Sequence, residues 1–238
     1  MRKEEPIRIW KREIPMKVSA LASPFLFRVF APATLIALAF LSGCAGGRAI
    51  NVNVGYDLAR ITKPPFEGTR EMTVVLTKFK EGPSVKDEFG QWVEPRGKED
   101  ILRSSRPVNE AITDAAYEYL KRAGFNVTLA PGEVGPDAVF TPAPDLIIYG
   151  TVDEFATDAV STADSTEITV NLKMKIMIKN TKDDSVLTVA IENVAEPMKL
   201  VVFNHDILRD TINDTLTASI ERMFANTVLK DGLLRPAK

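Results

Sequence analysis

The clearest regularity in this 238-residue chain spans residues 166–179, where apolar and polar positions alternate. Ile168, Val170, Leu172, Met174, Ile176 and Ile178 share one face, and Thr169, Asn171, Lys173, Lys175, Met177 and Lys179 share the other. Successive side chains of a strand point to opposite sides, so the pattern predicts a long strand with one buried and one wetter face. Residues 180–185 supply turn chemistry, 186–194 return as the next strand, and Pro197 breaks it. Residues 146–152 start apolar on both faces, as a central strand does. Residues 72–79 are β-branched and apolar and read as the first core strand, and 125–129 as a short one.

The spacing changes to three and four over residues 107–123. Val108, Ala111, Ile112, Ala115, Ala116, Tyr119, Leu120 and Ala123 then line one stripe of a helix. Ser105 is the expected N-cap, Pro107 suits the first turn, and Gly124 suits the left-handed position that ends the helix. A second helix is expected from Asn204 or His205, with Leu208, Ile212, Leu216, Ile220, Met223, Phe224 and Val228 on its buried face. Residues 131–144 are too rich in proline and glycine for regular structure. Residues 80–104 read as a long charged loop. Phe89 and Trp92 within it either fold back to cap the core or meet a partner. One apolar stripe per helix and one apolar sheet face predict an α+β fold, a two-layer sandwich. Its sheet is mixed and mainly antiparallel, with two helices on one face.

The N-terminal part follows a different pattern. A basic start leads into an apolar run from Val29 to Phe40, closed by Leu41-Ser42-Gly43-Cys44. The run is shorter than the ~20 residues of a spanning helix and contains Pro32, so it reads as an export signal. The alternative is a free thiol at the end of a transmembrane helix. Residues 1–15 carry charges of both signs, and translation starts at either Met1 or Met16. Residues 45–71 read as a tether, flexible at Gly46-Gly47 and stiff at Pro64-Pro65, with a short edge strand suggested at 50–54. The expected organisation is a signal over 1–44, a tether over 45–71 and a single α+β domain over 72–238.

Leu-Ser-Gly-Cys resembles the lipobox of bacterial lipoproteins. The resemblance implies diacylglycerol on the Cys44 sulfur, cleavage between Gly43 and Cys44, and a fatty acyl group such as palmitate on the freed amine. Two such chains anchor stably where one binds marginally. Ala45, where aspartate would usually signal inner-membrane retention, points to the outer membrane in a double-membraned organism.

Charge and reactive groups narrow the function. Of the 30 basic and 32 acidic residues, seven and three lie before Cys44, leaving 23 and 29 and a net charge near −6. That balance argues against nucleic acid as a partner. The chain's one cysteine is the anchor candidate, so no disulfide is expected in the folded part. His205 is the one histidine; it is a general base or ligand, or simply a helix-start residue. Asp153, Glu154 and Asp158, near an expected strand end, and Asp183 with Asp184, in a hairpin turn, are carboxylate clusters without calcium-loop spacing. No catalytic residues, metal site or cofactor is expected.

The passage Ala115-Ala116-Tyr117-Glu118-Tyr119-Leu120-Lys121-Arg122-Ala123-Gly124-Phe125-Asn126-Val127 looks like the helix-to-strand passage of YajG-type bacterial lipoproteins. The strand from Asp145, the long alternating strand and the helix from Asn204 follow in the same order. Similar layouts occur in auxiliary lipoproteins of ABC-type transport and in the lipopolysaccharide-assembly lipoprotein. The lipobox-like stretch joined to a compact domain without reactive groups leads to the expectation of a periplasm-facing, outer-membrane-anchored binding or assembly module with an envelope protein as partner. The alternative is a lipid-handling accessory of a transport system. In it, the row Lys173, Lys175, Met177, Lys179 receives lipid phosphates, with Trp92 as a further lipid or partner contact; otherwise the row is an ordinary wet sheet face.

Overall fold

The computed structural model describes residues 47–57, 69–132, 134–135, 138–194, 197–201 and 203–237. The chain divides into two compact units, Met1–Gly46 and Gly47–Lys238. The first, with the expected cleavage site Gly43–Cys44, lies outside the described residues. The second unit is a large mixed sheet with two helices on one face, an α+β sandwich.

Its axis is a pair of long antiparallel strands, β7 (Leu146–Ser161) and β8 (Thr166–Asn180), paired along nearly their whole lengths. On the far side of β8 run β9 (Val186–Val194) and β10 (Met198–Leu200), both antiparallel to it. The other side of β7 serves two groups. Its first half pairs in parallel with β2 (Thr73–Leu76), which carries β6 (Asn126–Leu129). Near its middle, at Thr151 and Val152, it pairs in parallel with β3 (Lys80–Glu81), and its second half pairs in parallel with β4 (Glu88–Val93). Beyond β4 come β5 (Glu99–Ser104) and β1 (Ala49–Val52).

The alternation along β8 holds throughout. Ile168, Val170, Leu172, Met174, Ile176 and Ile178 are all buried, and the odd-numbered side chains between them are exposed or half-exposed. Both helices lie on the buried side. In α1 (Val108–Arg122), Ile112, Ala116, Tyr119 and Leu120 join the same core as Leu172 and Ile176. In α2 (His205–Glu221), Leu208, Ile212, Leu216 and Ile220 do so. Gly124 takes the left-handed conformation (φ 93°) that ends α1, and the Phe125 N–H donates to the Leu120 carbonyl at 3.1 Å. Asn204 caps α2, its side chain accepting from the Ile207 N–H at 2.8 Å.

Several expectations are corrected. Ser105 does not cap α1: its hydroxyl donates to the Val52 carbonyl at 3.1 Å, tying β1 to the end of β5, and Pro107 stands at the cap without a side-chain bond. The first part of the expected tether belongs to the fold. Ala49–Val52 is a strand, Val52, Val54 and Tyr56 are buried, and the Gly55 and Asp57 N–H groups donate to Asn213 and Thr217 of α2. The folded unit therefore starts at Gly47, not at 72, because the alternation at 50–54 finds a parallel partner in β5. Residues 58–68 lie outside the described residues.

The expected loop 80–104 contains the β4–β5 hairpin. Its inward positions include Gly90, Asp100 and Ser104, so the period of two is present without the usual hydrophobic signature. A Cβ on Gly90 would lie 1.9 Å from the Thr157 carbonyl oxygen, so only glycine allows β4 to approach β7 there. Strand β7 runs to Ser161, well past 152. A register shift between Val152 and Glu154 changes which parity faces the core, and Phe155 and Ala159 take over the inward positions. Asp153, Glu154 and Asp158 thus sit within a strand and not near its end. Val228 lies outside α2, on a hairpin of β11 (Thr227–Lys230) and β12 (Leu233–Pro236). Its turn residues Asp231 and Gly232 both have positive φ.

Candidate functional site

The lysine row stands on the outer face of β8, where the alternation puts it, but it is not a free patch of positive charge. Lys173 reaches Glu154 of β7 at 3.0 Å and Glu192 of β9 at 3.4 Å. The hydrogen bond to Glu154, then that to Glu192, holds its ammonium above the ordinary lysine value. Lys179 pairs with Asp184 of the hairpin turn at 3.0 Å. Lys175 is exposed, and Met177 is half-buried beside Tyr149 of β7. One carboxylate from each expected cluster is therefore a counter-charge: Glu154 and Asp184 neutralise two of the three lysines locally.

Trp92 is half-buried at the end of the sheet where β4 meets the end of β7. Its Nε1–H donates to Ser161 Oγ at 2.8 Å, and that hydroxyl lies 2.7 Å from Thr166 Oγ1. Its ring packs on Phe203 (centroids 4.6 Å apart) and meets His205 edge-on at 5.4 Å. Phe89 is buried against Phe155, with centroids 5.0 Å apart. Both aromatics of the expected loop thus pack inward. His205 is the first residue of α2 and an exposed member of the aromatic cluster.

The chain enters the fold at this same end. The Arg48 N–H donates to Asp100 Oδ1 at 2.8 Å, and its carbonyl accepts from the Ile101 N–H at 3.0 Å. Asp100 is buried and also meets Lys98 at 2.9 Å. Burial pushes its carboxyl up, but the Lys98 ammonium and the Arg48 N–H outweigh this and hold it below the usual range. The entry point is fixed by a paired, hydrogen-bonded carboxylate. Val201, just beyond β10, is 86 % exposed.

A cavity of about 530 Å³ opens where β5 ends and α1 begins, lined by Lys86, Glu88, Arg103, Ser104 and Arg106 among others. Arg103 pairs with Glu88, and Arg106 with Asp114. Ser104 Oγ and Arg106 Nε are buried there without a hydrogen-bond partner among the described residues. The cations of the cavity are thus largely matched by neighbouring carboxylates. Nothing in the periodicity marked this cavity, because the β4–β5 hairpin that forms it lies in a stretch that reads as a charged loop.

Among the described residues no three His, Cys, Asp or Glu side chains gather as a metal site would require, and no helix is long and apolar enough to cross a membrane. No family model and no curated protein matches the chain. Among solved structures it is similar to XCC0632 of Xanthomonas campestris, a DUF330 protein, at 9% identity and TM-score 0.42, covering 74% of this chain and 91% of that one. It is also similar to a Helicobacter pylori homolog of the neuraminyllactose-binding hemagglutinin, at 10% identity and TM-score 0.39, covering 73% and 92%. Lipoprotein GNA1162 of Neisseria meningitidis matches at 14% identity and TM-score 0.33, covering 65% and 99%. At these values the likenesses assign no role to any residue of this chain.

Proposed function

We propose that this chain is a lipid-anchored protein of the bacterial envelope whose folded unit works by non-catalytic binding or assembly. In a double-membraned organism it faces the periplasm from the outer membrane. The observation that carries the reading is Leu41-Ser42-Gly43-Cys44, closing an apolar run immediately before the folded unit that starts at Gly47. An acylated Cys44 holds the unit at a membrane without a spanning helix, since two acyl chains, at roughly 0.8 kcal/mol per buried methylene, anchor stably. The chain's one histidine is part of an aromatic cluster with Trp92 and Phe203, which favours binding over catalysis.

The lipid-handling alternative drew on the lysine row. With Lys173 and Lys179 already paired to carboxylates, the row offers an anionic headgroup little net field, and an envelope protein is the better partner. The test is Cys44→Ser in cells fed an alkyne fatty acid. The variant is expected to lose the label and to leave the outer-membrane fraction. Labelling and fractionation unchanged by the substitution would end this reading. Cross-linking the wild-type chain in detergent-solubilised envelope then identifies the partner.

A further inference from the structure

We infer that one end of the folded unit seats against the lipid headgroups: the end where the chain enters, bearing Arg48, Trp92, Val160, Val201, Phe203 and His205. The inference rests on acylation of Cys44 and deepens it by naming the surface that meets the bilayer. Strand registers bring these residues together. Ala49 pairs with Ile101 near the start of β5, and Glu99 pairs with Val93 at the end of β4. Val93 also pairs with Val160 at the end of β7, Ser161 with Thr166 at the start of β8, and Thr166 with Leu200 at the end of β10. The chain entry, the β4–β5 turn, the β7–β8 turn and the start of α2 therefore share one end of the sheet.

Covalent geometry sets the distance. Gly47 is the third residue after Cys44. An extended residue spans at most ~3.6 Å, so Gly47 stands no more than about 11 Å from the acylated residue. The headgroup layer itself is roughly 5–8 Å deep on each side, the difference between a ~30 Å hydrocarbon core and a ~40–45 Å bilayer. Because Arg48 is bonded on both sides to β5, the fold cannot pay out more chain at this point. A tether of the length first expected would have let the unit stand well clear of the membrane; three residues limit that distance.

The end has a surface suited to that position. Val201 is 86 % exposed and Val160 46 %. Trp92 and Phe203, two residues after Val201, pack together half-buried with their rings tilted, and amphipathic aromatics favour the interface between water and lipid. Lys98 is held by Glu94 and Asp100, so its charge is already matched. The contact is carried by the anchor and by the apolar edge of Val160, Val201, Trp92 and Phe203, which salt does not screen. At ~3.3 Å per residue the sixteen residues of β7 put the opposite end about 50 Å away. The β8–β9 turn lies at that far end, with Lys182 exposed.

The test uses the full lipidated chain, in which acylated Cys44 leaves an introduced cysteine as the one labelling site. Val201→Cys and, at the far turn, Lys182→Cys each carry an environment-sensitive fluorophore. Each is reconstituted in vesicles of phosphatidylethanolamine and phosphatidylglycerol with nitroxide-labelled headgroups, and Cys44 acylation is read by mass. The label at 201 is expected to be quenched several-fold more than the label at 182. That difference should survive high salt, although the screening length falls from ~30 Å at 0.01 M to ~3 Å at 1 M. Equal quenching at the two sites with Cys44 acylated overturns the seated surface and leaves the lipoprotein reading standing. A mass showing no acyl group at Cys44 overturns both.

Discussion

The two faces of strand β8 come from one stretch of sequence and obey opposite physics. The even-numbered face, Ile168 to Ile178, is closed over by α1 and α2, and every side chain on it is apolar and buried. The odd-numbered face is open enough for Lys173 and Lys179 to keep their charge, and it is ordered by ion pairs to adjacent strands and a turn. One face carries the stability of the domain. The other tolerates change, since exposed ion pairs contribute little and are screened by salt. A functional reading that placed the protein's chemistry on the lysine face would have to draw on charges already spent locally.

The largest effect should come from crossing the two faces. Ile176→Asp puts an unpaired carboxylate in the fully buried row, at a cost of several kcal/mol out of the ~5–15 that hold a domain together. No cooperative thermal transition is expected. Lys175→Asp makes the same side chain one residue away on the open face, where surface changes stay within about 0.5 kcal/mol. Equal melting temperatures for the two variants would contradict the division of faces.

A smaller loss is expected at Asn180, a polar residue at the end of the buried row. Its side chain accepts from the Leu234 N–H at 2.8 Å, and donates to the Leu234 carbonyl at 3.1 Å and to Ser185 Oγ at 2.9 Å. It therefore clasps β12 to the β8–β9 hairpin. Asn180→Ala leaves those backbone groups unpaired, at about 1–3 kcal/mol. Urea denaturation should show a lowered midpoint, and amide exchange at Leu234 should quicken more than at Leu172. Exchange at Leu234 that is no faster than in the parent would show that the clasp does not hold β12.

The smallest effect is expected at Lys173, on the open face. Lys173→Gln breaks both of its ion pairs, and melting in low and high salt should barely separate it from the parent, with any difference confined to low salt. A large loss that persists in high salt would mean that this face is structural after all.

The legible parts of the fold were those whose signal is local. The β8 alternation, the three-and-four spacing of α1 and α2, the Gly124 stop and the turn before β9 all stand where periodicity placed them. The β11–β12 hairpin is also marked locally, by Asp231-Gly232 at its turn. The β4–β5 hairpin was hidden because Gly90, Asp100 and Ser104 point inward without being apolar. The second half of β7 was hidden because one residue of bulge reverses the phase of its pattern.

By itself the sequence determined the sandwich class and the buried row of β8, because each depends on neighbours within a few residues of one another; the Leu41-Ser42-Gly43-Cys44 stretch on which the proposed anchor rests is local in the same way. Only the tertiary structure decided that residues 49–57 belong to the domain, since β1 meets β5 across some fifty residues of chain. It alone decided that Glu154 and Glu192 meet Lys173, and that Trp92, Phe203 and the chain entry share one end of the sheet. The physical reason is the same in each case. Side-chain periodicity is a property of one strand or helix, whereas pairing between strands and matching between charges depend on which distant segments the fold brings within a few ångströms.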